Sequence, residues 1–539
     1  MNAISSISKI SNISPAFGTP TSNAAIATAQ SSGTSAQNPS SSTPSSVVTL
    51  GLANATTQTQ GWYGTAVQAA APLVWKNKPS DGISALMASN FSLQTPAGRF
   101  SGLGAALLKQ FSSNGSAISQ SVQQGAPRVP PNASGIATAA APLLPGTADN
   151  QVAFTVTTQA GTHIKLALDD TQDGLAVQIK SDGKLSDAER SALDQLAAGL
   201  QDALNGAAAD PPQIKLDGLT QFDPTVLASV DLHATIKSSS ANSATPQSLD
   251  FHADAAQRTV SFNGQTGAAT VSVDLSNATG WGDQQQQAKA IASYQQQFDQ
   301  ADSRGHGDAS LMAMFKDAFA EMNSHYPATA PRQTAGALPL ILQDQDHAVL
   351  TGLADFSASI AQTPVASNPA LLDQKDGFAY QVSQNTNITG PSQASRSISQ
   401  TQQSSLQASY HRPISADAPL MLSTARASQN YYYDQVDDTA SSAAGLSYKK
   451  GTLVKASLDQ SASQSTHVLK YTEGNVAEDT TTPLQASLSQ DLVDALAQKR
   501  KADQAETAVE IYQRKQKLSA INDSIFLQAN PTALREAQA

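Results

Sequence analysis

The chain has 539 residues, of which 40% are hydrophobic and only 14% are charged, and its formal net charge is −11. Because phosphate contacts need clustered Lys and Arg, a chain of this charge is not expected to have a nucleic-acid partner. The absence of cysteine excludes disulfides, thiolate metal sites and cysteine nucleophiles.

The start of the chain is free of acidic residues. No Asp or Glu occurs before Asp81, and the next is Asp149. Residues 1–60 are rich in Ser, Ala, Thr, Asn and Gln, so they have little to bury and are predicted to form a disordered tail. No run approaches the roughly 18 apolar residues of a membrane span, and no signal-peptide core follows Lys9. We therefore expect neither a transmembrane segment nor a conventional signal peptide.

The opening residues, MNAISSISKISNIS, carry Ala3 and Ile4 and have no acid among the first twelve. This composition resembles the N-termini of substrates of bacterial type III secretion, including the related flagellar export system. The resemblance implies export by a route that reads no signal peptide, a secreted or cell-surface location, and the export machinery as a partner. An ordinary tail on a cytoplasmic protein is the alternative.

Short helices are predicted in residues 61–125. Asp81 is placed to cap one helix, because its carboxylate can accept from a backbone N–H of the first turn. A second helix follows the apolar spacing of Leu103, Leu107 and Phe111. Residues 126–150 contain several prolines and are predicted to be a linker.

Residues 151–330 are predicted to form an α+β domain. Apolar and polar residues alternate in several short runs, as in half-buried strands, and Asn263-Gly264 favours a hairpin turn. Ser186 and Glu189 match a capping box, and Asp308 begins another helical pattern. The predicted strands cover residues 152–156, 164–168, 175–179, 230–236, 249–253, 260–262 and 271–275.

Residues 331–375 are predicted to connect this domain to a β-rich, loosely packed region at 376–480. Alternating runs occur around Phe378, Leu406 and Leu446, with Ser- and Gln-rich stretches between them. A second small β-domain and an extension of one sheet both fit this pattern. The consecutive tyrosines 431–433 are interpreted as half-buried strand residues, with a binding platform as the alternative.

The C-terminal region, 481–539, is predicted to contain a long helix over 484–529, because Leu488, Leu492 and Leu496 are four apart. Its polar middle suits docking on the body or on a partner helix better than a free coiled coil. The basic cluster at 499–501 is interpreted as a solvated helix face. The predicted fold class is therefore α+β: antiparallel β-hairpins and a meander with packed helices, a disordered Ser-rich N-terminus and a long C-terminal helix.

One motif resembles half of a calcium-binding loop. Residues 182–189, DGKLSDAE, place Asp182 and Glu189 at ligand positions of an EF-hand. Lys180 would stand at an earlier ligand position, where its ammonium repels calcium. A turn followed by a capping box is therefore the favoured interpretation, and a calcium site is the alternative.

Two histidines, His233 and His252, lie on predicted strands beside Asp231, Asp250 and Asp254. If the apolar residues that alternate with them face the core, all five side chains point outward. A solvated sheet face is favoured, and a surface metal site is the alternative if the two strands pair in register. No nucleotide, dinucleotide or nucleophile-elbow fingerprint occurs, so we expect no cofactor and assign no catalytic residue.

The favoured function is that of an exported bacterial protein that is not an enzyme and acts through protein–protein contacts. It would serve as an effector, a surface component or an accessory of an export apparatus. One alternative is an enzyme whose site is dispersed over the 151–330 domain. The other is a cytosolic scaffold that assembles through its C-terminal helix.

Overall fold

The computed structural model describes residues 73–125, 148–237, 246–327, 340–415, 417, 419–497 and 507–537. The predicted tail at residues 1–60, most of the predicted linker at 126–150 and the basic cluster at 499–501 lie outside these ranges. Within them, no helix has the length and apolar character needed to cross a membrane.

One antiparallel sheet organises the described residues. Its strands are β1 (Leu73–Trp75), β2 (Ile118–Gln124), β3 (Asn150–Thr158), β4 (His163–Thr171), β5 (Gly174–Ser181), β6 (Leu227–Ile236), β7 (Gln247–Asp254), β8 (Gln257–Asn263), β9 (Gly267–Asp274), β10 (Asp355–Gln362), β11 (Gly377–Ser392), β12 (Ser395–Pro413), β13 (Tyr431–Lys449), β14 (Thr452–Thr472) and β15 (Asn475–Asp491). The order across the sheet is β1-β2-β5-β4-β3-β6 and then β7 to β15 in sequence order. The predicted combination of helices with antiparallel hairpins and a meander is confirmed.

The helices are α1 (Gly82–Asn90), α2 (Pro96–Arg99), α3 (Leu103–Asn114), α4 (Asp187–Ala207), α5 (Asp217–Thr220), α6 (Gln284–Gly305), α7 (Ala309–Met322), α8 (Asp344–His347), α9 (Val493–Leu496), α10 (Ala508–Ser524) and α11 (Pro531–Glu536). Several begin at the expected caps. The Asp81 carboxylate accepts from Ser84 N at 2.8 Å, and Ser186 with Glu189 forms the predicted capping box. Asp308 caps α7.

The core lies between the helices and one face of the sheet. A row of cross-strand neighbours follows this face through almost the whole sheet, and its side chains become smaller toward β15. Smaller side chains let the covering C-terminal segment approach these strands closely. The row consists of Ile118, Ile179, Leu166, Phe154, Leu232, Phe251, Val260, Val271, Ala358, Val382, Ser404, Ala440, Ala462 and Ala486.

The opposite face of the sheet, here called the open face, carries polar side chains over most of its width. Strand side chains alternate between faces, so each open-face residue lies next in sequence to a covered one. In the row given next, most residues are exposed and the rest are half-buried. A row across the open face consists of His233, Asp250, Ser261, Thr270, Ser359, Gln381, Ser405, Thr439, Ser463 and Gln485.

Three buried amides and one buried hydroxyl replace apolar side chains in one part of the covered face. Gln384, Gln402, Ser442 and Gln460 are cross-strand neighbours there, and each is at most 6% exposed. We call these four residues the amide row. Strand backbones already satisfy each other, so these side chains remain available to bond irregular chain that crosses the sheet.

The amide row holds two such segments. Gln384 Nε2 donates to the carbonyls of Leu353 and Ala354 at 3.1 and 3.2 Å. Gln402 and Ser442 both donate to the carbonyl of Ile525, at 2.9 and 2.7 Å. Gln460 Nε2 donates to the carbonyls of Ser524 and Phe526. Residues 353–354 and 524–526 are thereby fixed to the sheet without forming strands.

Strands β11 to β15 extend the same sheet. Strand β10 pairs with β9 on one side and with β11 on the other, so the ladder continues from the predicted 151–330 unit into the predicted 376–480 region. The connections after β13 and β14 are tight turns at Lys450-Gly451 and Glu473-Gly474, in which all four residues have positive φ. Turns of this hand match the twist of the flanking strands.

The predicted long helix over 484–529 is wrong. Residues up to Asp491 complete β15, a short helix covers Val493–Leu496, and α10 begins only at Ala508. The spacing of four that suggested a helix is also an even number, so it equally places residues on one face of a strand. Leu488 is 8% exposed on the covered face of β15, where it contributes to the main core.

The amide row generates a stability prediction. Gln402→Leu removes the acceptor of Tyr294 Oη–H and of Leu527 N–H, both at 3.0 Å, and the donor to Ile525 O. Tyr294 Oη–H keeps Gln384 Oε1 as an acceptor and Ile525 O keeps Ser442 as a donor, so of the three partners Leu527 N–H is the one left unsatisfied. We expect a loss of about 2 kcal/mol in the free energy of unfolding, because this buried N–H has lost its acceptor. Urea denaturation measures this loss, and hydrogen exchange at Leu527 should accelerate.

The matched control is Gln403→Leu, which changes the adjacent residue on the open face. It is exposed, so we expect a change within about 0.5 kcal/mol. Similar losses in Q402L and Q403L would contradict a special role for the amide row.

Candidate functional site

The clearest concentration of titratable side chains on the open face is at β6 and β7. Leu232 and Phe251 point into the core and are 2% and 3% exposed, so the residues on either side of them point outward. His233 and His252 therefore point outward, as expected if Leu232 and Phe251 face the core. We call the five residues Asp231, His233, Asp250, His252 and Asp254 the His–Asp patch.

Strand register pairs each histidine with an acid. His233 lies opposite Asp250, and His252 lies opposite Asp231. The Nδ1–Oδ1 distances are 2.5 Å for the first pair and 2.6 Å for the second. His252 also reaches Asp254, two residues along its own strand, with 3.2 Å between Nε2 and Oδ2.

The patch carries more acid than base, with three carboxylates against two imidazoles. Burial lowers the pKa of His252, but its hydrogen bonds to Asp231 and Asp254 raise the pKa by more, so the net direction is upward. Protonation of His252 therefore stabilises the fold at low pH. This contribution is lost as the pH rises through the pKa of the folded protein.

The patch lies in a shallow depression of about 460 Å³. Hydroxyl side chains of neighbouring strands also line it: Thr155, Thr259, Ser261 and Thr270. The depression thus combines titratable groups with hydroxyls on a surface that solvent reaches.

One line of contacts has the order hydroxyl, imidazole, carboxylate. Thr235 Oγ1 lies 3.2 Å from His233 Nε2, and His233 Nδ1 contacts Asp250. If Asp250 accepts the Nδ1 proton, Nε2 is left to accept the Thr235 proton, which is the arrangement that activates a hydroxyl nucleophile. Both partners of the His233–Asp250 pair are about half exposed.

The side chains of the His–Asp patch contact one another in pairs. Across the described ranges, no group of three or more His, Asp or Glu side chains converges in a way that could hold an ion. The imidazole nitrogens of His252 are both engaged by aspartates, as pairs rather than as a common ligand set.

The half calcium loop has other partners. Asp182 Oδ1 accepts from His163 N at 2.8 Å and so closes the turn beside β4. Glu189 Oε2 accepts from Ser186 N at 2.7 Å, as the capping box requires. The two carboxylates therefore bond different backbone groups.

The consecutive tyrosines have structural roles. Tyr431 and Tyr433 are buried, and their hydroxyls donate to Gln374 Oε1 and Lys375 O. Between them and Asp376 lies His411, whose side chain is fully buried. Its Nδ1 is 2.6 Å from Asp376 Oδ1, so this cluster attaches the loop before β11 to β12 and β13.

The sequence analysis did not predict two of these side-chain contacts, Thr235 with His233 and His411 with Asp376. Thr235 follows His233 by two residues, a spacing that places both on one face of a strand, and this signal was available. The His411–Asp376 pair had none, because its members are far apart in sequence and meet only through a loop.

Comparison with known proteins does not assign the chain to a family. No family model matches the chain, and no similar chain was found among the curated proteins or the solved structures.

The His252 environment generates a pH prediction. We expect NMR titration to give a His252 pKa above the ordinary value of about 6.5, because two aspartates favour the imidazolium. The comparison is the double variant D231N/D254N, in which the amides remove both negative charges. A wild-type pKa at or below that of the variant would contradict the electrostatic account.

Proposed function

We propose that the chain is an exported bacterial protein that acts through contacts with other proteins, as an effector, a surface component or an accessory of an export apparatus. The observation that carries this proposal is a contrast within the chain. The first eighty residues have no acid, while the described residues form one acidic body built on a single sheet. A segment with little to bury suits recognition by a transport machine, and the body supplies the contacts.

The open face supports the part of the proposal that concerns contacts with other proteins. Its broad polar surface contains the His–Asp patch, in which three carboxylates outnumber two imidazoles. A partner with basic groups would complement the three aspartates, and charge complementarity favours specific encounter.

The edges of the sheet are less suited to partners. Strand β15 has Pro483 in its middle, which lacks the N–H that an added strand would need. Glu478 and Asp479 add charge to the same edge, a common protection against strand addition. On the opposite edge, the described part of the chain includes three residues of strand β1, Leu73–Trp75. The open face is therefore the surface on which we expect a partner.

The export half is tested by secretion. In bacteria with an active type III or flagellar export system, we expect the full chain to reach the medium and a chain lacking residues 1–50 to remain in the cells. The deletion ends well before β1, so the described fold should persist, which circular dichroism of the purified protein checks.

A length-matched variant sharpens the assay. Ser5→Asp, Ser8→Asp and Ser11→Asp together keep the segment but introduce acid, and we expect them to reduce release. Equal release of the full chain, the deletion and the acidic variant would end the export proposal.

A hydrolase is the second candidate function, because Thr235, His233 and Asp250 align in catalytic order. In such a reaction Thr235 Oγ1 attacks an ester carbonyl while His233 Nε2 takes the hydroxyl proton. His233 gives that proton to the departing alcohol as the acyl–Thr235 ester forms, and water activated by His233 then attacks this ester, which releases the acid and restores Thr235. His233 and Asp250 line the depression of about 460 Å³ but Thr235 does not, so a small acyl substrate would lie at the margin of this depression.

This candidate predicts hydrolysis of an aryl ester such as p-nitrophenyl acetate. We expect Thr235→Ala and His233→Ala to reduce the rate by a factor of about 100 or more, because each removes a member of the relay. The control is Thr157→Ala, since Thr157 contacts His163 on the same face at 3.2 Å. No turnover, or equal turnover in T235A and T157A, would exclude the hydrolase.

A further inference from the structure

A narrow cavity of about 30 Å³ lies under α6, where this helix crosses β11 and β12. Gln297 and Arg304 of the helix line it on one side. Tyr380 of β11, Ser404 of β12 and Asp438 of β13 line the other.

Two residues that line this cavity carry buried polar atoms that make no hydrogen bond of good geometry among the described residues. They are Gln297 Oε1 and Tyr380 Oη; the Ser404 hydroxyl is close enough to Tyr380 to lower its pKa, but not in such a geometry. Their side chains belong to residues that are only 6% and 3% exposed. Buried polar atoms are almost always paired with protein or with ordered water, so this coincidence of two such atoms on one cavity calls for a ligand.

The size and charge of the cavity restrict that ligand. A water molecule needs about 10–15 Å³ of such volume and two or more polar partners, so there is room for one or two waters. A cation is disfavoured by the Arg304 guanidinium in the cavity wall. The Asp438 carboxylate cannot compensate, because its two oxygens accept from Arg304 at 2.7 and 2.8 Å.

We propose that this cavity is a binding site for structural water, which accepts from Tyr380 Oη–H and donates to Gln297 Oε1. Burial raises the pKa of Tyr380 against a smaller opposing effect of Ser404, so the phenol keeps its proton and can donate. The Ser404 hydroxyl offers a further contact. Water thereby completes the polar contacts between α6 and the sheet beside the Arg304–Asp438 pair.

The direct test is a crystal structure of the full chain at a resolution that shows ordered waters, with a second crystal soaked in rubidium chloride. We expect a water within hydrogen-bonding distance of both Tyr380 Oη and Gln297 Oε1, and no anomalous signal in the cavity. An anomalous rubidium peak would show that the cavity binds a cation instead of water, and this result would contradict the proposal. A cavity with no electron density for a water would also contradict it.

A double-mutant cycle tests the same site in solution. Tyr380→Phe and Gln297→Leu should each lower the urea midpoint, because each leaves the water short of a partner. The double variant should lose less than the sum of the two single losses, since no polar atom then needs the water. Strictly additive losses would contradict a water shared by the two groups.

Discussion

The constraint on which the rest of the structure depends is the register of the strands. A shift of one residue in any strand would exchange its covered and open faces. Phe154, Leu232 and Phe251 would then point to solvent, and the His–Asp patch would enter the core. The apolar row thus fixes the site as well as the core. The short hairpins help to hold this register, because each tight turn determines the pairing of its flanking strands.

The amide row supplies hydrogen bonds to backbone carbonyls in the layer that covers the sheet. Toward β15 the covering layer includes irregular chain at residues 353–354 and 525–526 and the last residue of α10, Ser524, whose carbonyls accept no hydrogen bond within a helix. Gln384, Gln402 and Gln460 supply the missing donors from the sheet itself. Because each amide is nearly fully buried, these bonds fix position as well as stability. The small residues Ala440 and Ala462 beside them leave space for the chain that the amides hold.

The sequence allowed prediction of those features that depend on neighbours along the chain. Alternation predicted the hairpin of β3 and β4, and the caps at Asp81 and Ser186 predicted where α1 and α4 begin. Prediction from the sequence failed where the helical and strand periodicities place the same residues on one face. Leu488 is an example, because its spacing of four to Leu492 fits a strand as well as a helix. Outward orientation of His233 and His252 followed from alternation. Their pairing with Asp250 and Asp231 did not, because it depends on the register between two strands.

The location of the His–Asp patch bears on how a partner would be held. Hydroxyls and amides on the remaining open face exchange bonds to water for bonds to a partner with little net gain. Charged groups contribute more to orientation and encounter, and the patch concentrates them on two strands. Protonation of His252 reduces the negative charge of the patch. A basic partner would therefore be held more weakly as the pH falls, while the fold itself gains from the protonation of His252.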